Sequence, residues 1–187
     1  DIPSGVARGD LSVDAVPDAV SAYQHVNAVV VQLGNGDGTF AAPASFATGD
    51  QPVAVALADL DGDGKADVAA ANRGGNTIGV RLGAGDGTFG ARADFANGLQ
   101  QEALATGELN EDGALDLVVA NYGADTVGVL LGDGAGSFAA PVDYATAMDP
   151  NAVAVARLVG PCPLDDPGAR CYAPRAPTSP TAPARRA

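Results

Sequence analysis

The sequence predicts an all-β protein built from consecutive units of four short antiparallel strands. Its composition combines 25 glycines and 13 prolines with 5% aromatic residues and no tryptophan, which favours short strands joined by tight turns over long helices. A pattern also recurs at a fixed spacing: LGNGDGTF begins at Leu33, LGAGDGTF at Leu82 and LGDGAGSF at Leu131, each 49 residues after the one before. Such a period indicates stacked copies of one supersecondary unit.

Each unit contains four segments with strand character. In the middle unit these are VAVALADL, DVAAAN after an acidic loop, TIGVRLG, and a last segment that carries the aromatic pair Phe89 and Phe95. GDGTF predicts a hairpin turn, because Asp-Gly supplies the positive φ that tight turns need. It is a poor phosphate-binding loop, since no helical pattern follows it. The aromatic pairs recur at one phase of every unit, so we expect them to fill the core.

Four-stranded units of this length are typical of β-propeller blades. We place a propeller region at residues 1–160, with units at about 10–58, 59–107 and 108–156, and NAVAVARL at residues 151–158 as the lone first strand of a fourth unit. A closed ring needs at least four blades, so a partial propeller is expected: a fragment, a truncated copy, or a chain that completes a ring by assembly. Uncovered outer units predict self-association or incomplete folding of the isolated chain.

The acidic loop DLDGDGKAD predicts a calcium site. Four carboxylates this close repel one another unless a cation lies among them, and Lys65 is the only basic residue in the loop. Alternate positions supply hard oxygen ligands of the number that Ca²⁺ prefers, while two glycines permit the turn. The predicted ligands are Asp59, Asp61, Asp63, the Lys65 carbonyl and Asp67.

The repeat supplies two further versions of this loop. ELNEDGALD keeps an oxygen on every ligand side chain and keeps the turn glycine, so it predicts a second site. DLSVDAVPD has Ala15 in place of that glycine and predicts a weaker or lost site. An EF-hand is disfavoured, because position 12 holds Ala70 or Val119 rather than Glu. The ligands predicted in these two loops are Glu108, Asn110, Asp112, the Ala114 carbonyl and Asp116, and Asp10, Ser12, Asp14, the Val16 carbonyl and Asp18.

Two pairs of motifs, DLDGDGKADVAAAN with LGAGDGTF and ELNEDGALDLVVAN with LGDGAGSF, resemble the FG-GAP/VCBS repeat family. These repeats form calcium-binding propeller blades in integrin alpha-subunit heads and in many secreted bacterial proteins. The resemblance covers roughly Val6 to Leu158. It implies that the loop positions named above bind calcium, and that the chain is part of an extracellular or cell-surface protein with integrin alpha-like blades.

Residues 161–187 change character and are rich in Pro, Ala and Arg, which predicts a disordered tail. This segment contains the only cysteines, Cys162 and Cys171. They form a disulfide in an oxidising compartment or remain free thiols, and the sequence leaves both alternatives open.

Composition also narrows the function. A formal charge of −13 argues against nucleic acid as a partner, and no run approaches the roughly 20 apolar residues of a membrane span. His25, the only histidine, lies in a predicted surface turn, and no nucleophile–base pair can be assembled around it. We therefore expect a non-catalytic, calcium-stabilised binding or adhesion module for a protein or glycan ligand. The alternative is the propeller part of a secreted carbohydrate-active enzyme, such as a polysaccharide lyase, whose catalytic groups lie outside this chain.

Overall fold

The computed structural model describes residues 2–156, which form three four-stranded antiparallel sheets. In each sheet the strands pair in the order in which they follow one another along the chain, so each sheet is one blade. Blade 1 contains β1 (Gly5–Gly9), β2 (Asp18–Tyr23), β3 (Ala28–Gln32) and β4 (Ala44–Ala47). Blade 2 contains β5 (Pro52–Ala58), β6 (Asp67–Asn72), β7 (Thr77–Gly83) and β8 (Phe89–Ala96). Blade 3 contains β9 (Gln101–Gly107), β10 (Asp116–Asn121), β11 (Thr126–Leu130) and β12 (Val142–Ala145), with a 3-10 turn at Tyr122–Ala124.

The all-β class and the repeated four-stranded unit are thereby confirmed. The predicted strand segments of the middle unit become β5 to β8, and the Gly-rich segment forms the turn between β7 and β8. Its positive φ angles fall on Gly85 and Gly87, which flank Asp86. The predicted units begin at the acidic loops, at about residues 10, 59 and 108. The blades begin one strand earlier, because the first strand of each blade precedes its acidic loop.

Neighbouring blades pack face to face, and their first strands lie side by side. One apolar cluster joins blades 1 and 2, where Leu11 and Val31 meet Val55 and Val68, and a second cluster joins blades 2 and 3. Strands β6 and β10 are buried along their whole length, and each belongs to a blade that packs on a preceding blade. Strand β2 alternates between buried and half-buried residues, because no blade precedes blade 1 among the described residues. Alanine and valine suit such narrow spaces between sheets.

The aromatic residues join consecutive blades. Phe46 of blade 1 meets Phe89 of blade 2 edge to face at 5.0 Å between ring centroids. Phe95 of blade 2 meets Phe138 of blade 3 in the same way at 5.2 Å. Each such pair contributes about 0.5–1.5 kcal/mol beyond its buried area. The prediction that the aromatic pairs fill the core is confirmed for these four residues, which pack half-buried against the apolar clusters. It is wrong for Phe40 and Tyr144, which are exposed because no further blade packs on them.

The prediction of a lone first strand at residues 151–158 is wrong for its described part, because residues 151–156 contain no strand. Val155 of this segment nevertheless lies against Gly107 of β9, just as Leu57 lies against Gly9 between blades 1 and 2. A first strand becomes a strand by pairing with the second strand of its own blade, and residues 2–156 supply none for this segment. The last two positions of the segment lie outside the described residues.

Each blade presents different loops at its two ends. The acidic loops and the Gly-rich hairpin turns lie at one end, and the turns containing His25 and Arg73, together with the connections between blades, lie at the other. His25 is exposed, as predicted. No helix in the described part of the chain has the length and apolar character of a membrane span. The chain divides into two units, residues 1–155 and 156–187, and the predictions for Cys162, Cys171 and the tail fall outside the described residues.

The first acidic loop carries backbone strain that the second loop avoids. Val13 has φ 56° and Ala15 has φ 64°, whereas the second loop has Gly62 and Gly64 at the corresponding positions, with φ 76° and 84°. A β-branched residue is a poor occupant of the left-handed region, where a side chain costs roughly 1–2 kcal/mol.

We predict that Val13→Gly stabilises the protein by about 0.5–1 kcal/mol, because relief of the strain exceeds the entropy cost of the added glycine. Urea unfolding without calcium measures this difference. Val26→Gly is the matched control: Val26 is also an exposed loop valine, but it is not in the left-handed region, so its replacement should destabilise slightly. Equal effects of the two substitutions would contradict the strain argument.

Candidate metal centre

The carboxylate at the first loop position organises each acidic loop. Asp59 Oδ1 accepts hydrogen bonds from the N–H groups of Gly62 at 2.8 Å and Asp63 at 3.1 Å, and its Oδ2 accepts one from Gly64 at 2.9 Å. Two of these three bonds recur in each of the other loops: Glu108 accepts from the N–H groups of Glu111 and Gly113, and Asp10 accepts from those of Asp14 and Ala15. The first position therefore sets the shape of the loop through its own backbone in all three blades.

The carboxylate at the fifth position caps the residue at the seventh. Asp14, Asp63 and Asp112 each accept a hydrogen bond from the backbone N–H two residues on, at 2.8–2.9 Å. The donors are the backbone N–H groups of the three residues whose carbonyls were predicted to face the ion, Val16, Lys65 and Ala114. Participation of those carbonyls stays a prediction.

The aspartate at the ninth position is fully buried in every blade and joins two turns. Asp67 accepts hydrogen bonds from the Leu60 N–H at 2.6 Å and from the Gly83 N–H at 2.7 Å. The first donor belongs to the acidic loop and the second begins the Gly-rich hairpin turn. Asp18 makes the same two bonds to Leu11 and Gly34, and Asp116 makes them to Leu109 and Gly132. We call this arrangement the aspartate clamp.

The clamp explains a glycine in the repeat. A Cβ atom at Gly83 would overlap the carbonyl oxygen of Ala66, the residue before the clamp aspartate. The same overlap would occur between Gly34 and Pro17 and between Gly132 and Leu115. Sequence reasoning missed the clamp, although its signal was present as an Asp that recurs 16 residues before the Gly of each LG pair.

In blade 2 the clamp aspartate also joins a carboxylate cluster. One oxygen each from Asp59, Asp61 and Asp67 can be chosen so that all three lie within 4.8 Å of one another. Among the described residues this is the only such grouping of acidic, histidine or cysteine side chains. The predicted ligand Asp63 is not a member of the cluster, because its carboxylate pairs with Lys65 Nζ at 2.7 Å.

The cluster concentrates negative charge that no side chain within it neutralises. Burial raises the pKa of the Asp67 carboxyl; the N–H groups of Gly83 and Leu60 act against this, while the charges of Asp61 and Asp59 raise the pKa further. Lys65 is committed to Asp63, which its ammonium group holds at a lowered pKa. The three clustered carboxylates also keep acceptor capacity beyond their backbone hydrogen bonds. Spare hard oxygens around unneutralised charge fit Ca²⁺.

The other two predicted sets are arranged differently. In the third loop Glu108, Asn110 and Asp112 are exposed, and the Asn110 amide donates to Asp112 at 2.8 Å. In the first loop the Ser12 hydroxyl lies 3.5 Å from the clamp carboxylate of Asp18. The structure therefore brings together three side chains of the strongest predicted site, and neither of the other loops forms a comparable group.

Comparison with known proteins agrees with this architecture. The family model described as FG-GAP-like repeat matches residues 10–70 and residues 59–119, which together span more than half of the chain. The two matches are offset by the 49-residue repeat found in the sequence. The fold and the loops are those of β-propeller blades, and the chain belongs to the FG-GAP-like repeat family. The comparison with curated proteins finds no significant match.

Two solved structures are similar to this chain. An Agrocybe aegerita lectin, solved to explain its specific recognition of non-reducing terminal N-acetylglucosamine, is 24% identical with a TM-score of 0.52, over 74% of this chain and 37% of the lectin. The Tc holotoxin pore of Photorhabdus luminescens is 21% identical with a TM-score of 0.46, over 75% of this chain and 7% of the toxin chain. This chain thus spans little more than a third of the lectin that it matches, and the likeness to the lectin concerns the fold.

Blade 3 allows the clamp to be tested by itself, because the carboxylate cluster lies in blade 2. We predict that Asp116→Asn costs about 1–3 kcal/mol of unfolding free energy, because one of the two backbone N–H groups bound to the buried carboxylate would then face an amide nitrogen that cannot accept. Urea unfolding in a chelator measures the loss.

Asp133→Asn is the matched control in the same blade. Asp133 Oδ1 alone accepts both of its hydrogen bonds, from Ala135 and Ser137, and an asparagine keeps that oxygen. This exposed substitution should leave the unfolding free energy close to that of the unsubstituted chain. A loss at Asp116 no greater than that at Asp133 would show that the clamp does not stabilise the blade.

Proposed function

We propose that this chain is a calcium-stabilised, non-catalytic binding module of an extracellular β-propeller. The observation that carries the proposal is the cluster of Asp59, Asp61 and Asp67, whose neighbouring lysine is already paired with Asp63. Asp59, Asp61 and Asp67 would hold the ion. Bound calcium would supply the positive charge that these carboxylates lack and would fix the loop between β5 and β6.

The three loops should differ in affinity. The Asp59 loop has the carboxylate cluster and glycines at both left-handed positions. The Glu108 loop keeps one such glycine, Gly113, but offers an amide in place of one carboxylate. The Asp10 loop offers a hydroxyl at Ser12 and has strained residues at both turn positions. The proposed order of affinity therefore runs from the second loop to the third and then to the first.

The loop chemistry and the family support the proposed extracellular location. Propeller blades of this kind are typical of extracellular proteins, where calcium is abundant enough to fill sites with dissociation constants of about 10⁻⁴–10⁻³ M. The formal charge of −13 also favours a soluble, cation-rich setting over contact with anionic polymers.

The ligand surface is proposed at the end of the blades opposite the acidic loops. A cavity of about 340 Å³ opens there between the turns and the blade connections, and it is lined in part by Gln51, Arg73, Asn76 and Gln100. Arg73 is held by Glu102 at 2.7 Å. Amides and a positioned guanidinium offer donors and acceptors without concentrated net charge, which suits the hydroxyls of a glycan. The Agrocybe aegerita lectin recognises a terminal sugar, and its similar fold makes glycans the first ligands to test and proteins the second.

Calcium binding is tested by calorimetry and thermal unfolding. We predict that Ca²⁺ raises the melting temperature, with about 2.7 kcal/mol of stabilisation at a hundredfold excess over the dissociation constant, and that Mg²⁺ is much less effective because it resists dehydration. Asp61→Asn should remove most of the effect. Asp86→Asn is the control, since Asp86 is an exposed acid in the same blade whose hydrogen bonds to Thr88 use only Oδ1. The proposal fails if no calcium binds below millimolar concentrations, or if both variants lose the effect equally.

The order of the loops has its own test. Asp61→Ala should cost more calcium-dependent stability than Asp14→Ala, because only Asp61 belongs to the carboxylate cluster. Thermal unfolding with and without Ca²⁺ measures the two losses. Equal losses would show that the proposed ranking is wrong.

Ligand binding is tested by a glycan array with calcium present and with chelator. We predict that Gln100→Ala weakens binding of any glycan that the array detects, whereas Asp86→Asn at the opposite end of the blade does not. A glycan bound equally well by both variants would place the ligand surface elsewhere, and a blank array would direct the search to protein ligands.

A further inference from the structure

Consecutive blades meet through a joint that the chain forms twice. The Gly-rich turn of one blade donates a hydrogen bond into the acidic loop of the blade before it. The Gly87 N–H donates to the Leu11 carbonyl at 2.9 Å, and the Gly136 N–H donates to the Leu60 carbonyl at 3.2 Å. Both of these glycines are buried.

Two apolar contacts accompany this hydrogen bond. The same turn glycine packs on a leucine of the preceding blade, Gly87 on Leu33 and Gly136 on Leu82. An aromatic pair closes the outer part of the joint, with Phe89 meeting Phe46 and Phe138 meeting Phe95 edge to face. The joint therefore has two halves. The leading half consists of a turn glycine with the phenylalanine after it, and the trailing half consists of two leucines and an aromatic residue.

The two outer flanks of the chain each present one half without its counterpart. The leading flank, on blade 1, carries Gly38 and Phe40, both exposed, and no atom lies within 4 Å of a Cβ built on Gly38. The trailing flank, on blade 3, carries Leu109, Leu131 and Tyr144, all exposed. The contrast is sharpest at the leucine whose carbonyl accepts the hydrogen bond: Leu11 and Leu60 are each 2% exposed, whereas Leu109 is 43% exposed.

We propose that the leading flank of one copy of this chain docks on the trailing flank of a second copy and repeats the joint. Gly38 would donate to the Leu109 carbonyl and pack on Leu131, and Phe40 would meet Tyr144. A second copy is the occupant because both halves derive from one 49-residue repeat, whose joint already exists twice within the chain. Head-to-tail contacts of this kind close into rings when the rotation permits.

The number of blades selects the size of the ring. The described residues form three blades, so two copies supply six, within the usual range of about four to eight, whereas three copies would supply nine. A dimer would therefore cover both flanks of the described blades.

The segment of residues 151–155 reaches the docking surface, since its Val155 lies on Gly107 of β9, where β1 of the second copy would pack. The segment has no strand partner among the described residues, whereas β1 arrives paired with β2 of its own blade. Association therefore exchanges an unpaired segment for a complete blade. It also brings Arg8, the β1 residue at the position of Leu57, beside Gly107 and the acidic loop that follows it.

Sedimentation velocity of the full chain over a range of concentrations tests the proposal. The expected species is a dimer of twice 18.3 kDa. Leu109→Ser on the trailing flank and Phe40→Ser on the leading flank should each raise the dissociation constant at least tenfold. Leu99→Ser is the matched control, because Leu99 is 55% exposed but lies between blades 2 and 3, away from both flanks, and should leave association unchanged. Circular dichroism melts confirm that each variant is folded.

Mixing charged variants of the two flanks tests the head-to-tail geometry. Leu109→Asp and Phe40→Asp place a charge in the apolar joint and should each disable it outright, so neither variant alone should associate. A ring of two copies contains two joints, and a mixed dimer of these two variants places both substitutions in one joint and leaves the other joint native. The mixture should therefore associate through the native joint. A monomer at every concentration for the unsubstituted chain, an equal loss on Leu99→Ser, or no association on mixing the two Asp variants overturns the proposal.

Discussion

The buried aspartate of each blade is the interaction on which the rest of the structure depends. Asp18, Asp67 and Asp116 each accept two backbone N–H groups, one from the acidic loop and one from the Gly-rich hairpin turn. A carboxylate is costly to bury, and these two bonds offset part of that cost while they tie together two turns far apart in the chain. In doing so, the clamp holds the leucine that follows the first loop position, and in blades 1 and 2 that leucine's carbonyl receives the next blade. The same aspartate side chain therefore joins two turns of its own blade and positions the leucine that contacts the next blade.

Much of the fold could be predicted because the same residue pattern occurs in three consecutive units. Alternating Val and Ala segments, Asp-Gly turns and aromatic residues at one phase identify strands, hairpins and core without knowledge of their neighbours. The failure at residues 151–156 has a clear physical cause. Their sequence matches a first strand, but a strand also needs a partner, and pattern alone does not contain the partner.

The candidate site was predictable to a lesser degree. The spacing of Asp59, Asp61 and Asp67 locates the cluster, because alternate residues of a tight loop converge. Spacing does not reveal that Lys65 turns back to Asp63 and removes it from the cluster, since a flexible side chain can point outward or inward from the same backbone. Nor does it reveal that Asp67 is already engaged by two N–H groups, one of which lies 16 residues away. The sequence shows an excess of carboxylates over basic residues in this loop. The ion pair and the hydrogen bonds show which of those carboxylates can still face a cation.

The positions of the cluster and the joint connect the two proposals physically. Leu60 lies between Asp59 and Asp61, and its carbonyl accepts the hydrogen bond from Gly136 of the next blade. An ion held by those two aspartates would therefore also restrain the carbonyl that receives blade 3. Leu109 stands in the same relation to Glu108 and Asn110 in the loop that faces the trailing flank. Charge neutralisation in that loop and attachment of a further blade act on one short stretch of backbone, so each would lower the entropy cost of the other.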